Sequence, residues 1–254
     1  MHTVLYGFLA SLLAGLATGV GALPALFFKE VKDQVFSVIL GGAAGVMLAA
    51  TAFSLIVPGI SHGDAMWPGL GAVVTAAGMI LGAFVLDLLD RVIPHEHMVA
   101  GMEGPVSKMR RVWLFVIAIT LHNLPEGLSV GVSFGSDNVV GGTSLAMGIG
   151  LQNMPEGLAV AMPLLGIGYS RWKAVGIATL TGLVEPIGGL FGAAVVSVFE
   201  PLLPFGLAFA AGAMLFVISD EIIPETHAKG KSRPATFGVM VGFVVMMLLD
   251  NLLG

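Results

Sequence analysis

Every lysine and arginine in the chain falls into one of four short stretches, and that distribution constrains the fold more than any other feature. Lys29 and Lys32 form the first group, and Arg91, Lys108, Arg110 and Arg111 the second. Arg171 and Lys173 form the third, and Lys229, Lys231 and Arg233 the fourth. Crossing the hydrocarbon core of a bilayer takes about 20 mostly apolar residues. Eight segments between and beside these groups reach that length, at approximately 4–28, 35–60, 68–92, 112–136, 140–167, 172–199, 203–225 and 235–253. The breaks carry turn and charge signals: KEVKDQ, SHGDAM, a polar stretch over 93–111, SDN, YSR, EPLLP and THAKGKSR. The expected fold is an all-α integral membrane protein of eight transmembrane helices, one domain over 1–254, with lipid as its surroundings.

Composition agrees. The 254 residues are 56% apolar and 11% charged, whereas soluble domains carry about a quarter charged residues. The 36 glycines suit membrane helices, whose backbones approach closely over small residues. The absence of cysteine excludes disulfides, thiolate ligands and cysteine nucleophiles. A net charge of −5 without a basic patch excludes nucleic acid as a partner. The opening MHTVLYGFLASLLAGLATG has no basic n-region and reads as a retained span rather than a cleaved signal.

With eight spans, the four basic groups all fall on odd-numbered loops. The positive-inside rule then makes those loops cytoplasmic and both termini external, in a cell (inner) membrane. Trp67, Trp113 and Trp172 sit at span ends, where interfacial tryptophans anchor helices.

The chain also resembles itself. Ala44-Gly45-Val46-Met47-Leu48 returns as Ala211-Gly212-Ala213-Met214-Leu215, followed by Pro58 with His62 and by Pro224 with His227. Leu88-Leu89-Asp90 returns as Leu248-Leu249-Asp250, and Thr18-Gly19 with Pro24 as Thr181-Gly182 with Pro186. The offsets cluster at 160–167 residues. Spans one to three thus pair with six to eight, a displacement of five spans that inverts the second copy. HNLPEGLSV in span four pairs with QNMPEGLAV in span five. Inverted repeats, here expected in a 3+2+3 arrangement, are the architecture of many secondary transporters, whose substrate site lies near midplane at the repeat interface, often where helices are interrupted.

Residues three and four apart share a helical face. His122, Asn123 and Glu126 cluster by that rule, as do Gln152, Asn153 and Glu156. Pro125 and Pro155 release the carbonyls of Leu121 and Leu151, Gly127 and Gly157 remove bulk, and Glu185 with Pro186 repeats the theme in span six. An ionised carboxylate at mid-membrane costs about 3 kcal/mol. Three cost on the order of 10 kcal/mol, comparable with the stability of a whole domain. No lysine or arginine lies within a span to neutralise them, so they are protonated, hydrated or bound to a cation. Imidazole, carboxylate and amide oxygen form a mixed set suited to Zn(II), Fe(II), Mn(II), Co(II), Ni(II) or Cd(II).

On the HNLPEG and QNMPEG pair, thirty residues apart, with Glu185 in the next span, the chain resembles the ZIP (Zrt/Irt-like) family of divalent-metal transporters, in its bacterial GufA-like branch. The resemblance covers essentially the whole chain and implies metal movement into the cytoplasm, with zinc the commonest substrate, through a site for two metals. It implies a first subsite of Met47, His122, Glu126, Gln152 and Glu156. The second would be Asn123, Glu126, Asn153, Glu156 and Glu185, with Glu126 and Glu156 bridging. Many family members have His where this chain has Gln152, a weaker ligand for borderline metals.

At the cytoplasmic ends, Asp87, Asp90, His95, Glu96, His97, Glu221, Glu225 and His227 form an expected exit group or metal-sensing patch. On the outer side His62, Asp64 and Asp137 give a slighter cation signal. The partners expected are divalent metal ions and lipid, and the reading admits a homodimer. A membrane-embedded metal-dependent hydrolase is the alternative, but zincins need HExxH with two histidines and each motif here has one at most. A purely structural subunit leaves the unneutralised glutamates unexplained.

Overall fold

The computed structural model describes residues 2–28, 32–92, 108–135, 139–227 and 232–253, and no described residue is in a strand. Helix α1 (His2–Ala22) tightens into a 3-10 turn, Leu23–Leu26, and α2 (Asp33–Ala50) runs through a π-helical segment, Thr51–Ile56, into α3 (Val57–Met66). Next come α4 (Gly71–Val92), α5 (Lys108–Gly135) and α6 (Val139–Gly166). A broken helix follows, α7 (Arg171–Gly182) and α8 (Glu185–Val198). A 3-10 turn, Glu200–Leu202, leads to α9 (Leu203–Val217), a second π-helical segment, Ile218–Ile222, then α10 (Ile223–His227) and α11 (Ser232–Leu253).

Prolines explain most interruptions. Pro24 and Pro186 sit in the first turn of the Leu23–Leu26 helix and of α8, where the missing N–H has no intrahelical role. The Leu183 N–H reaches the carbonyls of both Thr179 and Leu180, at 3.2 Å each, closing α7 before the chain restarts. Pro58 and Pro224 each follow a π segment, a wider turn that accommodates the missing hydrogen bond. α5 and α6, by contrast, continue through Pro125, Pro155 and Pro163. The SHGDAM break lies inside α3: the Trp67 N–H bonds the Gly63 carbonyl at 2.8 Å. The Asp64 carboxylate accepts the Gly71 N–H at 2.8 Å, satisfying an orphan donor at the start of α4.

Seven helical stretches are long and apolar enough to cross a membrane: His2–Leu26, Gln34–Met66, Gly71–Leu89, Val112–Gly135, Arg171–Val198, Glu200–Asp220 and Arg233–Leu252. α6 has the length, 28 residues, but Gln152, Asn153, Glu156 and two prolines dilute its hydropathy. The surface matches a lipid solvent. Phe191 is 65% exposed and Val198 86%, while Gln152, Glu126 and Glu156 are among the largest fully buried side chains. A soluble domain inverts that distribution.

The helices pack as two groups. α1, α5, α6 and α7–α8 pack on one another, and the second group is built from α2 on α11, α4 on α9 and α3 on both α4 and α9, with α2 on α6 and α5 on α9 joining the two; the most extensive pairings are α2 with α11, α5 with α8, α1 with α6 and α4 with α9. Glycine sets each of these four crossings. A Cβ would strike partner backbone at Gly45 (Val239), Gly127 (Glu185), Gly157 (Thr18) and Gly82 (Phe209). One buried apolar cluster, including Ala22, Phe115, Val160, Leu164 and Ala178, lies wholly within the first group. A larger cluster, including Met47, Leu145, Ile149, Leu207 and Met214, spans both groups.

Candidate metal centre

The two PEG motifs and Glu185 converge because of these close crossings. α5 supplies His122, Asn123 and Glu126, α6 supplies Gln152, Asn153 and Glu156, and α8 begins with Glu185. Backbone contact between Gly127 and Glu185 brings α5 against the start of α8, and contact between Gly157 and Thr18 holds α6 against α1. All seven side chains are buried, His122 most exposed at 5%. The carboxylate of Glu126 lies within electrostatic range of Glu156 and Glu185, and Glu185 of Glu156.

The Gln152 and Asn153 amides are oriented by donation, whereas neither Nδ2 nor Oδ1 of Asn123 has a hydrogen-bond partner among the described residues. Gln152 Nε2 donates to Glu126 Oε1 at 2.5 Å. Asn153 Nδ2 donates to Glu185 Oε1 at 2.6 Å and to the backbone carbonyl of Ala14 at 2.8 Å. With their N–H groups used this way, Gln152 Oε1 and Asn153 Oδ1 are left over. These two oxygens, with Asn123 Oδ1, Glu126 Oε2 and Glu185 Oε2, have no hydrogen-bond partner among the described residues. Five such buried oxygens in one cluster carry a large electrostatic cost, of the kind that a bound cation would offset. Among the described residues no group of three or more His, Asp or Glu side chains stands as a ready-made metal shell. The Glu126 and Glu185 carboxylates are turned onto amide donors instead.

The other expected site residues divide. Met47 is fully buried, in the same apolar cluster as Met214. Asp87 pairs with Arg91 at 2.9 Å, one turn away on the surface of α4. The His227 ring is engaged with the Ile223 carbonyl at 3.0 Å and Thr226 Oγ1 at 2.8 Å through Nδ1, and with Thr236 Oγ1 at 3.1 Å through Nε2. It staples α10 to α11. Asp90, Glu221 and Glu225 lie on helical backbone, but their side chains, like His95, Glu96, His97 and Asp137, fall outside the described residues.

Three features escaped the sequence reading. The Ala14 carbonyl is a backbone acceptor with no side-chain signal. Ser54 Oγ donates to Asp250 Oδ1 at 2.6 Å across 196 positions; the signal for Asp250 was a lone acid ending an apolar span. A lateral apolar groove of about 370 Å³ runs between α1 and α6 and shares Ala14 with the site.

A family profile described as ZIP zinc transporter matches residues 95–250. The chain is 47% identical over 251 residues to the protein named zinc transporter GufA from Myxococcus xanthus, covering 98% of this chain and 99% of that protein. It is 45% identical over 241 residues to zinc transporter ZIPB from Bordetella bronchiseptica, covering 94% of this chain and 78% of that protein. It is 34% identical over an alignment of 322 positions, gaps included, to human zinc transporter ZIP11, covering 93% of this chain and 94% of that protein.

Proposed function

The chain belongs to the ZIP family of zinc transporters, in its GufA-like branch, and from that premise we propose that it carries divalent transition metal, zinc first, into the cytoplasm. The family assignment makes it a transporter rather than an enzyme and a multi-pass membrane protein. In this reading α6 is an eighth span beside the seven apolar ones, within a single transmembrane domain. Both termini face outward and the basic loops face the cytoplasm. The 3+2+3 inverted arrangement draws support from the π segments, which begin at Thr51 and Ile218, the same 167-residue offset that separates Ala44 from Ala211. It draws support also from packing, since exchanging the repeats turns the α2–α11 contact into α9–α4 and the α5–α8 contact into α6–α1.

One observation carries the substrate class: the five buried oxygens of Asn123, Glu126, Gln152, Asn153 and Glu185 that lack hydrogen-bond partners among the described residues. A divalent cation entering among them gains carbonyl and carboxylate ligands, and His122 adds the nitrogen that favours zinc-like ions over calcium or magnesium. The two-subsite reading uses Glu126 and Glu156 as bridges, with Met47 as a soft contact from α2. Fe(II), Mn(II), Co(II), Ni(II) and Cd(II) compete for the same donors.

The packing supports alternating access by relative motion of the two helix groups. His122, Asn123, Glu126, Gln152, Asn153, Glu156 and Glu185 all belong to the first group, so the cargo site travels as one body while Met47 stays with the second.

Uptake of radioactive zinc into proteoliposomes, with Glu126→Ala as the comparison, tests the proposal. Metal-independent behaviour, or full uptake by Glu126→Ala, would sink it. Equilibrium zinc binding in detergent separates transport from a purely structural role, and light scattering measures whether the protein is the homodimer this reading admits.

A further inference from the structure

Outward from the carboxylates, α6 presents Gln152, Gly148 and Ser144 at successive one-turn steps on one face. α11 runs beside it and presents Met246 and Asp250 one turn apart. The two helices meet at Gly148: a Cβ built there would strike Met246 Sδ and lie 2.8 Å from its Cε. The tip of the Met246 side chain therefore fills the space that the missing side chain at 148 leaves open. Met246 is fully buried, in the same apolar cluster as Leu145 and Ile149.

Beyond this layer the lining turns polar again. Ser54 Oγ donates to Asp250 Oδ1 at 2.6 Å. The hydroxyls of Ser144 and Thr51, 1% and 2% exposed, have no hydrogen-bond partner among the described residues. A buried hydroxyl in that position suits a route that water or a hydrated ion visits. Polar groups thus lie on both sides of Met246.

We infer that Met246 is a gate on the outer side of the cation path, a thioether plug seated against Gly148 between the central carboxylates and the Ser54–Asp250 pair. The inference rests on the transport reading and its orientation. A dry apolar constriction bars a hydrated ion by excluding water. Methionine suits the task because it is unbranched, with three rotatable bonds, and clears a passage by changing rotamer. Gly148 gives it a socket without a side chain to lock it.

The chain has no cysteine, so single cysteines report access without background. Ser144→Cys lies outside the plug and Gln152→Cys inside it. In right-side-out vesicles, a membrane-impermeant maleimide labels Ser144→Cys at the same rate whether position 246 is Met, Leu, Ala or Gln. Gln152→Cys labels slowly with Met246 or Met246→Leu. It labels at least about tenfold faster with Met246→Ala, which opens the plug, and with Met246→Gln, which keeps its length but admits water. The Gln variant guards against misfolding of the cavity-forming Ala variant. Equal Gln152→Cys rates in all four backgrounds, or no outer labelling of Ser144→Cys, would overturn the gate. Absent zinc uptake by the wild-type chain, with the labelling difference intact, would overturn the transport reading while still showing Met246 to be the plug that keeps outer water from Gln152.

Discussion

Gly127→Ala is the sharpest probe of how the centre is assembled. A Cβ at 127 would lie 2.6 Å from the Cα of Glu185 and collide with its carbonyl oxygen. Carbon atoms pack at about 3.5–4.0 Å, so α5 and the start of α8 must separate by roughly 1 Å. The obstacle is backbone, which no rotamer change relieves, and overpacking of this kind costs about 1–3 kcal/mol. Glu185 is displaced directly, and a 1 Å error in a positioned group costs up to about a hundredfold in rate. Thermal unfolding in detergent should show a lowered midpoint, and zinc uptake by proteoliposomes should fall well beyond what the stability loss explains. Gly176→Ala is the control: an added Cβ there meets nothing within 4 Å, and helix propensity alone favours Ala by up to about 1 kcal/mol. Wild-type stability and uptake for Gly127→Ala would refute the claim that glycine-mediated backbone contact positions Glu185.

Glu185→Gln should abolish or severely weaken equilibrium zinc binding in detergent while preserving the fold, since the amide keeps the shape and removes the charge; isothermal titration measures it. Gln152→His replaces the amide oxygen of the proposed site by imidazole and removes the donor to Glu126, so zinc should gain on Mn(II) in competition uptake assays. Asp87→Asn breaks an exposed one-turn pair with Arg91, and thermal unfolding should change by less than about 0.5 kcal/mol.

Hydropathy and charge made the helices legible because lipid imposes one requirement on every span. The central motif was legible for the same reason: His122, Glu126 and Glu156 stand out against an apolar background. What the sequence hid was longer-range. His227 carries the same signal as a ligand, but its ring is committed to Thr226 and Thr236, a contact that depends on how α10 meets α11. The π segments gave no sign beyond Pro58 and Pro224. The hold of Ala14 on Asn153 runs through a backbone carbonyl, which every residue possesses and no motif distinguishes.

The polarity of α6 has a consequence during synthesis. A helix carrying Gln152, Asn153 and Glu156 at its middle partitions poorly from the translocon into lipid when alone, each ionised or strongly polar group at mid-helix opposing insertion by up to about 3 kcal/mol. α5 and α6 are separated by residues 136–138 alone, so in the eight-span reading the pair enters the bilayer as a hairpin. α5, which meets the apolarity requirement, then chaperones its partner. Lengthening that connection changes no residue of the centre, yet it should strand α6 outside the membrane, a defect of biogenesis that glycosylation mapping of the nascent chain would register.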